Sequence, residues 1–203
     1  MIDHQRKLIF VHLRRTAGNS IEVALGGITL LGRDGEPTLD WDNALHRGKT
    51  PFKIDNRGHY IHDTATAIRN QFPEEFSSYK KFTIVRNPWD QLVSLYLRLS
   101  PHDHHAVNFK PWLFSLKRPA HGTLPFCSLF DTRGSLLVDY IGKYENIADD
   151  FSRICDACGI ENLALPETNK SFKRHYRDYY DPASREFVRK LCDAEINEFG
   201  YSF

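Results

Sequence analysis

The chain has 203 residues, of which 41% are hydrophobic and 26% charged, and its formal net charge is +1. This composition and length predict a single globular domain over residues 1–203 with a sizeable core. A net charge so near zero argues against a nucleic-acid-binding protein, so any anion site must be local. No apolar run approaches the roughly 20 residues that span a membrane. Because the N-terminus also lacks the apolar core of a signal peptide, we expect a cytoplasmic protein.

The first predicted elements are a strand, a loop and a helix. The apolar run Leu8–Val11 predicts a buried strand, the polar segment His12–Ser20 a loop, and an amphipathic segment from Ile21 a helix. This order can form a phosphate cradle, because backbone N–H groups at the start of a helix converge on an anion. The charged and hydroxyl side chains of the loop that could help to bind an anion are Arg14, Arg15, Thr16 and Ser20.

The middle of the chain is less regular. Residues 26–60 are rich in Gly, Asp, Asn, Arg and His, and we expect a long surface loop with one short helix around Trp41–Leu45. Thr64–Phe72 is predicted to be a helix, and Lys81–Val85 reads as a second buried strand.

Strong helix-start signals follow the second strand. Asn87 can cap a helix, Pro88 suits its first position and Asp90 suits its first turn. Farther on, residues 100–126 are rich in Pro and His, with a short helix predicted around Pro111–Leu116.

The last third of the chain predicts a hairpin, a strand and two helices. Thr132–Gly134 has the composition of a turn, so Cys127–Asp131 and Ser135–Asp139 predict a hairpin. The remaining predicted elements are a strand at Tyr140–Tyr144 and helices at 146–158 and 182–198. Strands that alternate with helices indicate an α/β fold with a mainly parallel sheet.

The cysteines allow two interpretations. Cys155 and Cys158 have the spacing of a metal-binding or redox pair. They also share a helical stripe with Phe151 and Ile154, which favours a core position, and Cys192 lies in a similar stripe. No second cysteine pair or nearby histidine pair completes a zinc site.

A second anion-binding segment is predicted where the second strand ends. Ligands bind at the carboxyl ends of the strands in parallel α/β sheets, so two neighbouring strand ends with cationic loops can form one site. Arg86 lies at this strand end, and Ser94 lies a little over two helical turns later. Arg86 could bind a phosphate through its planar fork while Ser94 donates its hydroxyl. The alternative for Arg86 is a structural ion pair.

Together the two segments resemble the nucleotide-binding motifs of the PAPS-dependent sulfotransferases, especially carbohydrate-type and bacterial members. The motifs are HLRRTAGNS at His12–Ser20 and VRNPWDQLVS at Val85–Ser94. Further matches lie toward the C-terminus, at Lys143–Asn146, Asn169–Ser171, Tyr176–Asp181 and Phe199–Tyr201. The resemblance implies a three-layer P-loop NTPase-like fold, with a mainly parallel central sheet flanked by helices.

The resemblance also implies the donor 3′-phosphoadenosine 5′-phosphosulfate (PAPS), the product 3′-phosphoadenosine 5′-phosphate (PAP) and no metal. Arg86 and Ser94 would hold the 3′-phosphate, with Trp89 as a neighbour of the cofactor. The residues implied at the 5′-phosphosulfate are Arg14, Arg15, Thr16, Ala17, Gly18, Asn19 and Ser20. The segment that contains Lys170 and Ser171 is basic. It is either a flap that covers the 3′-phosphate or covers an acidic acceptor, or a solvated loop.

Arg15 is the main departure from the family's pattern, in which the first loop usually has Pro-Lys where this chain has Arg14 and Arg15. The family's lysine stabilises the leaving phosphate, and Arg15 would take this catalytic role. An arginine keeps the charge but is planar and bulkier, so the exchange is not neutral.

A hydroxyl acceptor also needs a general base, and histidine is the commonest choice. By resemblance to glycan sulfotransferases with a catalytic histidine in a similar region, His62 is our first candidate and His59 our second. The alternative for His62 is a helix-start or packing residue. The cluster His102–His105 could suggest a metal site, but a solvated or substrate-facing loop is favoured.

The sequence therefore predicts an enzyme that transfers a sulfuryl group to a hydroxyl or amine. A glycan, a lipid headgroup and a small hydroxylated metabolite remain open as acceptors. Two alternatives are a nucleotide-binding protein of the same fold that has lost transfer, and a P-loop-like kinase. The kinase is disfavoured because the pattern Gly-x4-Gly-Lys-Ser/Thr is absent.

Overall fold

The computed structural model describes residues 1–26, 63–99, 108–116, 125–161, 163–166 and 174–203, together with three short strands between positions 29 and 48. The strands are β1 (Ile2–Asp3), β2 (Leu8–Val11), β3 (Thr29–Leu31), β4 (Pro37–Thr38), β5 (His46–Gly48), β6 (Lys80–Val85) and β7 (Tyr140–Lys143). The α-helices are α1 (Gly18–Ala24), α2 (Ala65–Gln71), α3 (Pro73–Ser78), α4 (Pro88–Leu99), α5 (Phe109–Ser115), α6 (Pro125–Leu129), α7 (Ile147–Cys158), α8 (Pro182–Leu191) and α9 (Asp193–Phe199). Tyr144–Asn146 and Tyr176–Tyr179 form short 3-10 helices.

The main sheet has the strand order β1-β2-β6-β7. Strands β2, β6 and β7 are parallel, and β1 pairs with β2 as an antiparallel edge strand. Val11 lies opposite Thr83, and Val85 lies opposite Lys143. The carboxyl ends of three parallel strands therefore meet at one edge of the sheet, which confirms the predicted mainly parallel α/β fold.

Helices cover both faces of this sheet. Ile9 and Val11 of β2 lie in a buried cluster that includes apolar residues of α2, α3 and α6. Leu8 and Phe10 point to the opposite face, where a second cluster contains residues of α1 and α7. The alternation of the side chains along a strand thus produces the predicted three layers.

A third apolar cluster joins α4, α5 and α8 and includes the buried Cys192. Cys155 lies in the cluster beneath α7 and is also fully buried, whereas Cys158 is half-buried. All four cysteines lie in the described part of the chain and are free thiols. The core interpretation is therefore confirmed for Cys155 and Cys192.

The described parts of residues 26–60 differ from the predicted loop, because they contain a small antiparallel sheet with the order β4-β3-β5. These strands have two or three residues each, too few to give a periodic apolar signal. The helix predicted at Trp41–Leu45 lies outside the described residues.

The predicted hairpin is only partly correct. Its first arm, Cys127–Asp131, is mainly helix α6, and the pairing that remains is a single bridge between Phe130 and Leu136. The turn itself is present, because Gly134 has φ +79° and the Asp131 carboxylate accepts the backbone N–H of Arg133 at 2.9 Å. The strand prediction failed because a short apolar segment fits a helix as well as a strand.

Two further regions of helix differ from the prediction. Helix α3 was missed, although Pro73 occupies its first position and Glu74 and Glu75 its first turn. The predicted helix at 182–198 is divided at Cys192 into α8 and α9. Asp193 in the first turn of α9 favours a new helix start there, since acidic groups stabilise the positive end of a helix. Among the described helices, none has the length and apolarity needed to cross a membrane.

Candidate anion-binding site

Hydrogen bonds between described residues join the loop after β2 to Arg86 and to helix α4. Arg86 Nη1 donates to the Arg15 carbonyl at 2.8 Å, and Gln91 Nε2 donates to the Arg14 carbonyl at 2.7 Å. Arg15 Nε donates to the Ser94 hydroxyl at 3.1 Å. The structure therefore brings together Arg14, Arg15, Arg86 and Ser94, which sequence reasoning placed at two separate strand ends.

The first loop has an unusual backbone. Arg15 and Ala17 both have left-handed conformations, with φ of 63° and 61°. Non-glycine residues seldom adopt this region, so contacts elsewhere must stabilise the loop. One such contact is the hydrogen bond from the Thr16 hydroxyl to the Leu13 carbonyl, at 2.9 Å.

The other predicted loop residues differ in accessibility. Thr16, Gly18 and Ser20 are buried, whereas Ala17 and Asn19 are half-buried, as are the two arginines of the loop. Their assignment to the 5′-phosphosulfate stays a prediction.

Arg86 is held on several sides. Its Nε and Nη2 donate to Asp90 Oδ2 at 2.9 and 2.6 Å, and its guanidinium carbon lies 3.8 Å from the centre of the Tyr144 ring. The structural ion pair considered for Arg86 is thus present. Asp90 and the Arg15 carbonyl use three of the five guanidinium N–H groups.

Positive charge accumulates around Ser94. Burial, and then the charges of Arg86 and Arg98, lower the pKa of Arg15, while Tyr144 opposes this shift. Arginine nevertheless remains protonated in proteins, so these three guanidinium groups are cations that repel one another. An anion among them would relieve that repulsion.

Arg98 was missed in the sequence analysis. It is exposed and lies one helical turn after Ser94, on the same face of α4. The spacing of four residues between Ser94 and Arg98 was the signal that could have placed Arg98 beside the site.

The start of α4 is fixed from three directions. Asn87 Oδ1 caps the helix by accepting the Trp89 backbone N–H at 3.1 Å, as predicted, while its Nδ2 donates to the Ser202 carbonyl. The Asn87 backbone N–H donates to Glu145 Oε1 at 2.7 Å, and Tyr201 donates its hydroxyl to the other Glu145 oxygen. Segments after β7 and near the C-terminus therefore position the second loop.

Trp89 has the environment of a core residue. Its side chain lies in the cluster of α4, α5 and α8, and its indole N–H donates to the Arg185 carbonyl at 3.1 Å. Its ring also packs edge-on against Phe203. Packing accounts for the position of Trp89, and its role beside the cofactor stays a prediction.

Several predicted site residues lie outside the described residues, namely His59, His62, Lys170, Ser171 and the cluster His102–His105. Within the part of the chain that the structure describes, no group of three His, Cys, Asp or Glu side chains could hold a metal ion.

The mainly parallel sheet flanked by helices, with cationic loops at two neighbouring strand ends, defines an α/β protein whose candidate site lies at the carboxyl ends of the strands. Residues 1–202 match the model of the Sulfotransferase family, and the chain belongs to this family. The predicted family is therefore confirmed.

Two individual proteins are similar to parts of the chain. An uncharacterized protein of Archaeoglobus fulgidus is 27% identical over 120 residues, which cover 56% of this chain and 96% of that protein. A crystal structure of a sulfotransferase from Alicyclobacillus acidocaldarius is 17% identical, with a TM-score of 0.34. That match covers 68% of this chain and 62% of the other, less than two thirds of its length.

Proposed function

We propose that this sulfotransferase takes a sulfuryl group from PAPS and transfers it to a hydroxyl or amine of an acceptor. The observation that carries the proposal is the meeting of Arg15, Arg86 and Ser94 at neighbouring strand ends, in a chain whose residues 1–202 match the family. A single domain over residues 1–203 is part of this proposal.

The chemistry of the donor set fits an anionic nucleotide. Arginine offers planar N–H groups that match phosphate and sulfate oxygens, and a serine hydroxyl adds a further donor. Arg15, Arg86 and Arg98 together supply more positive charge than the Asp90 carboxylate offsets. Ser94 and Arg86 would bind the 3′-phosphate of PAPS. Arg15 would lie between this phosphate and the 5′-phosphosulfate.

PAPS supplies an activated sulfuryl group whose transfer leaves PAP. In this mechanism Arg15 offsets negative charge that develops on the leaving phosphate, and its hydrogen bond with Ser94 orients the guanidinium. Positioning and electrostatics account for most of the catalysis in such transfers, much as in phosphoryl transfer.

We propose His62, and in second place His59, as the general base that accepts the acceptor's proton. Replacing His62 by alanine should lower turnover by about a hundredfold or more, since general bases contribute about 10²–10⁴-fold, and leave the affinity for PAP nearly unchanged. Turnover and calorimetric binding of PAP would be measured together. A fully active His62→Ala variant would reject this role, and the same pair of measurements on His59→Ala would test the second candidate.

The proposed reaction is tested with PAPS carrying a sulfur label and a panel of glycan, lipid-headgroup and small hydroxylated acceptors. Transfer of label that requires both the protein and an acceptor is expected. The alternative of a nucleotide-binding protein without transfer predicts binding of PAP and no labelled product. Magnesium-dependent ATP binding that exceeds the affinity for PAP would favour the P-loop-like kinase and contradict the proposal.

A further inference from the structure

The first loop needs contacts that hold its conformation. Arg15 and Ala17 have left-handed backbones, and neither is a glycine. Such residues persist only where the surrounding structure determines their conformation. The question is which side chains hold the two ends of the loop at the right distance.

His12 and Glu22 connect those two ends. His12 is the first residue after β2, and Glu22 lies in α1, beyond the loop. His12 Nδ1 lies 3.1 Å from Glu22 Oε1, and their side chains are only 4% and 7% exposed. With Glu22 ionised, its carboxylate only accepts hydrogen bonds, and Nδ1 is then the donor.

The histidine ring is also closely packed. It stacks on Phe10 with ring centres 5.4 Å apart, and it lies directly against Gly18, the first residue of α1. A Cβ atom at Gly18 would come within 2.0 Å of His12 Cδ2 and Nε2. The ring therefore fixes the start of the helix relative to the end of the strand.

We propose that His12 and Glu22 are positioning residues that hold the loop so that Arg15 reaches Ser94 and Arg86. The part of this inference that concerns nucleotide binding rests on the proposed function. Their contact joins the end of β2 to α1, so both side chains act through the loop that connects these elements. Arg15 takes part with both its carbonyl and its guanidinium, so a small displacement of the loop disturbs two contacts at once.

Four variants separate this role from a general contribution to stability. His12→Leu removes the N–H donor, whereas His12→Asn retains one near the position of Nδ1. Glu22→Gln keeps an acceptor without the charge. The matched control is Thr83→Val, which removes a buried hydrogen bond of 2.7 Å to the Val11 carbonyl, in the same sheet but outside the loop.

The first measurement needs no nucleotide. Amide hydrogen exchange of residues 13–17 in the free protein should become about tenfold faster in His12→Leu, the equivalent of one hydrogen bond involving a charged group. His12→Asn and Glu22→Gln should lie between this variant and the wild type, and Thr83→Val should match the wild type in this segment. Unchanged exchange in His12→Leu would overturn the proposal. If that variant does not fold, wild-type exchange in both His12→Asn and Glu22→Gln would overturn it too.

The second measurement is calorimetric binding of PAP. His12→Leu should weaken binding about tenfold, with rescue of most of the loss in His12→Asn. If His12 acts through Arg15, adding His12→Leu to Arg15→Ala should weaken binding by clearly less than His12→Leu weakens it in the wild type, because the guanidinium contact is already lost and effects are not additive within one coupled group. Additive losses would overturn the proposal. Failure of the wild type to bind PAP would instead contradict the proposed function, and hydrogen exchange would still decide the role of His12.

Discussion

The two loops at the edge of the sheet reach the same site by different structural means. The loop after β2 has two left-handed residues and is held by a buried histidine–glutamate contact and a close approach at Gly18. The loop after β6 passes directly into a regular helix, with Asn87 as its cap and Pro88 in its first position. The first conformation therefore depends on contacts across the loop itself, whereas the helix start of the second is encoded by neighbouring residues, with Glu145 and Ser202 holding Asn87 in place. Substitutions in the first loop should accordingly change its backbone conformation, whereas substitutions in the second should remove individual contacts.

The largest effect on stability is expected from Gly18→Ala. Its Cβ would overlap the His12 ring, and overpacking of this kind costs about 1–3 kcal/mol. We expect a value near the upper end, about 3 kcal/mol, because the ring is buried and cannot move aside freely. Urea unfolding would measure it.

The matched control is Gly134→Ala, where nothing lies within 4 Å of the added Cβ but φ is +79°. Its cost should be about 1–2 kcal/mol, from the left-handed backbone alone. If Gly18→Ala were no more destabilising than Gly134→Ala, the close packing of the first loop would not be what holds it.

Arg86→Ala should have the largest effect in the second loop. On the proposed function, the affinity for PAP should fall by about 1.5–3 kcal/mol, the scale of a hydrogen bond to a charged group. Calorimetry would measure the change. Arg189→Ala is the control, because Arg189 also forms an ion pair through its guanidinium but is half-exposed on α8. Equal affinities of Arg86→Ala and the wild type would remove Arg86 from the binding site.

Asn87→Ala tests whether the second loop is locally encoded. Loss of a helix cap costs about 0.5–2 kcal/mol of stability, and here a hydrogen bond to the Ser202 carbonyl is lost as well. The control is Thr64→Ala, which removes the cap of α2, where the Thr64 hydroxyl accepts the Ala67 N–H at 3.1 Å. Both variants should lower the thermal midpoint, but only Asn87→Ala should also weaken PAP binding. Equal binding by the two variants would mean that the cap does not position Arg86.

The same contrast explains what could be predicted from the sequence. Strands β2 and β6 and the cap at Asn87 follow from apolar runs and local start signals, which do not depend on the rest of the fold. The left-handed residues Arg15 and Ala17 carry no such signal, since neither is a glycine or an asparagine. The hydrogen bond between Arg15 and Ser94 joins residues 79 positions apart, so strand-end reasoning and the family resemblance could predict a shared site but not this contact.

The smallest effect is expected at Tyr144, in the 3-10 helix that follows β7, where its ring contacts Arg86. Its ring lies 3.8 Å from the guanidinium carbon of Arg86, and a contact of this kind contributes about 0.5–1 kcal/mol at an exposed site and about 2 when desolvated. Tyr144→Leu should therefore weaken PAP binding by about 0.5–1 kcal/mol, while Tyr144→Phe, which keeps the aromatic face, should bind almost as the wild type does. Because Arg86 is also held by Asp90 and the Arg15 carbonyl, removing the ring alone should not release it. A loss in Tyr144→Leu as large as in Arg86→Ala would show that the position of Arg86 depends mainly on the Tyr144 ring and not on the local start of α4.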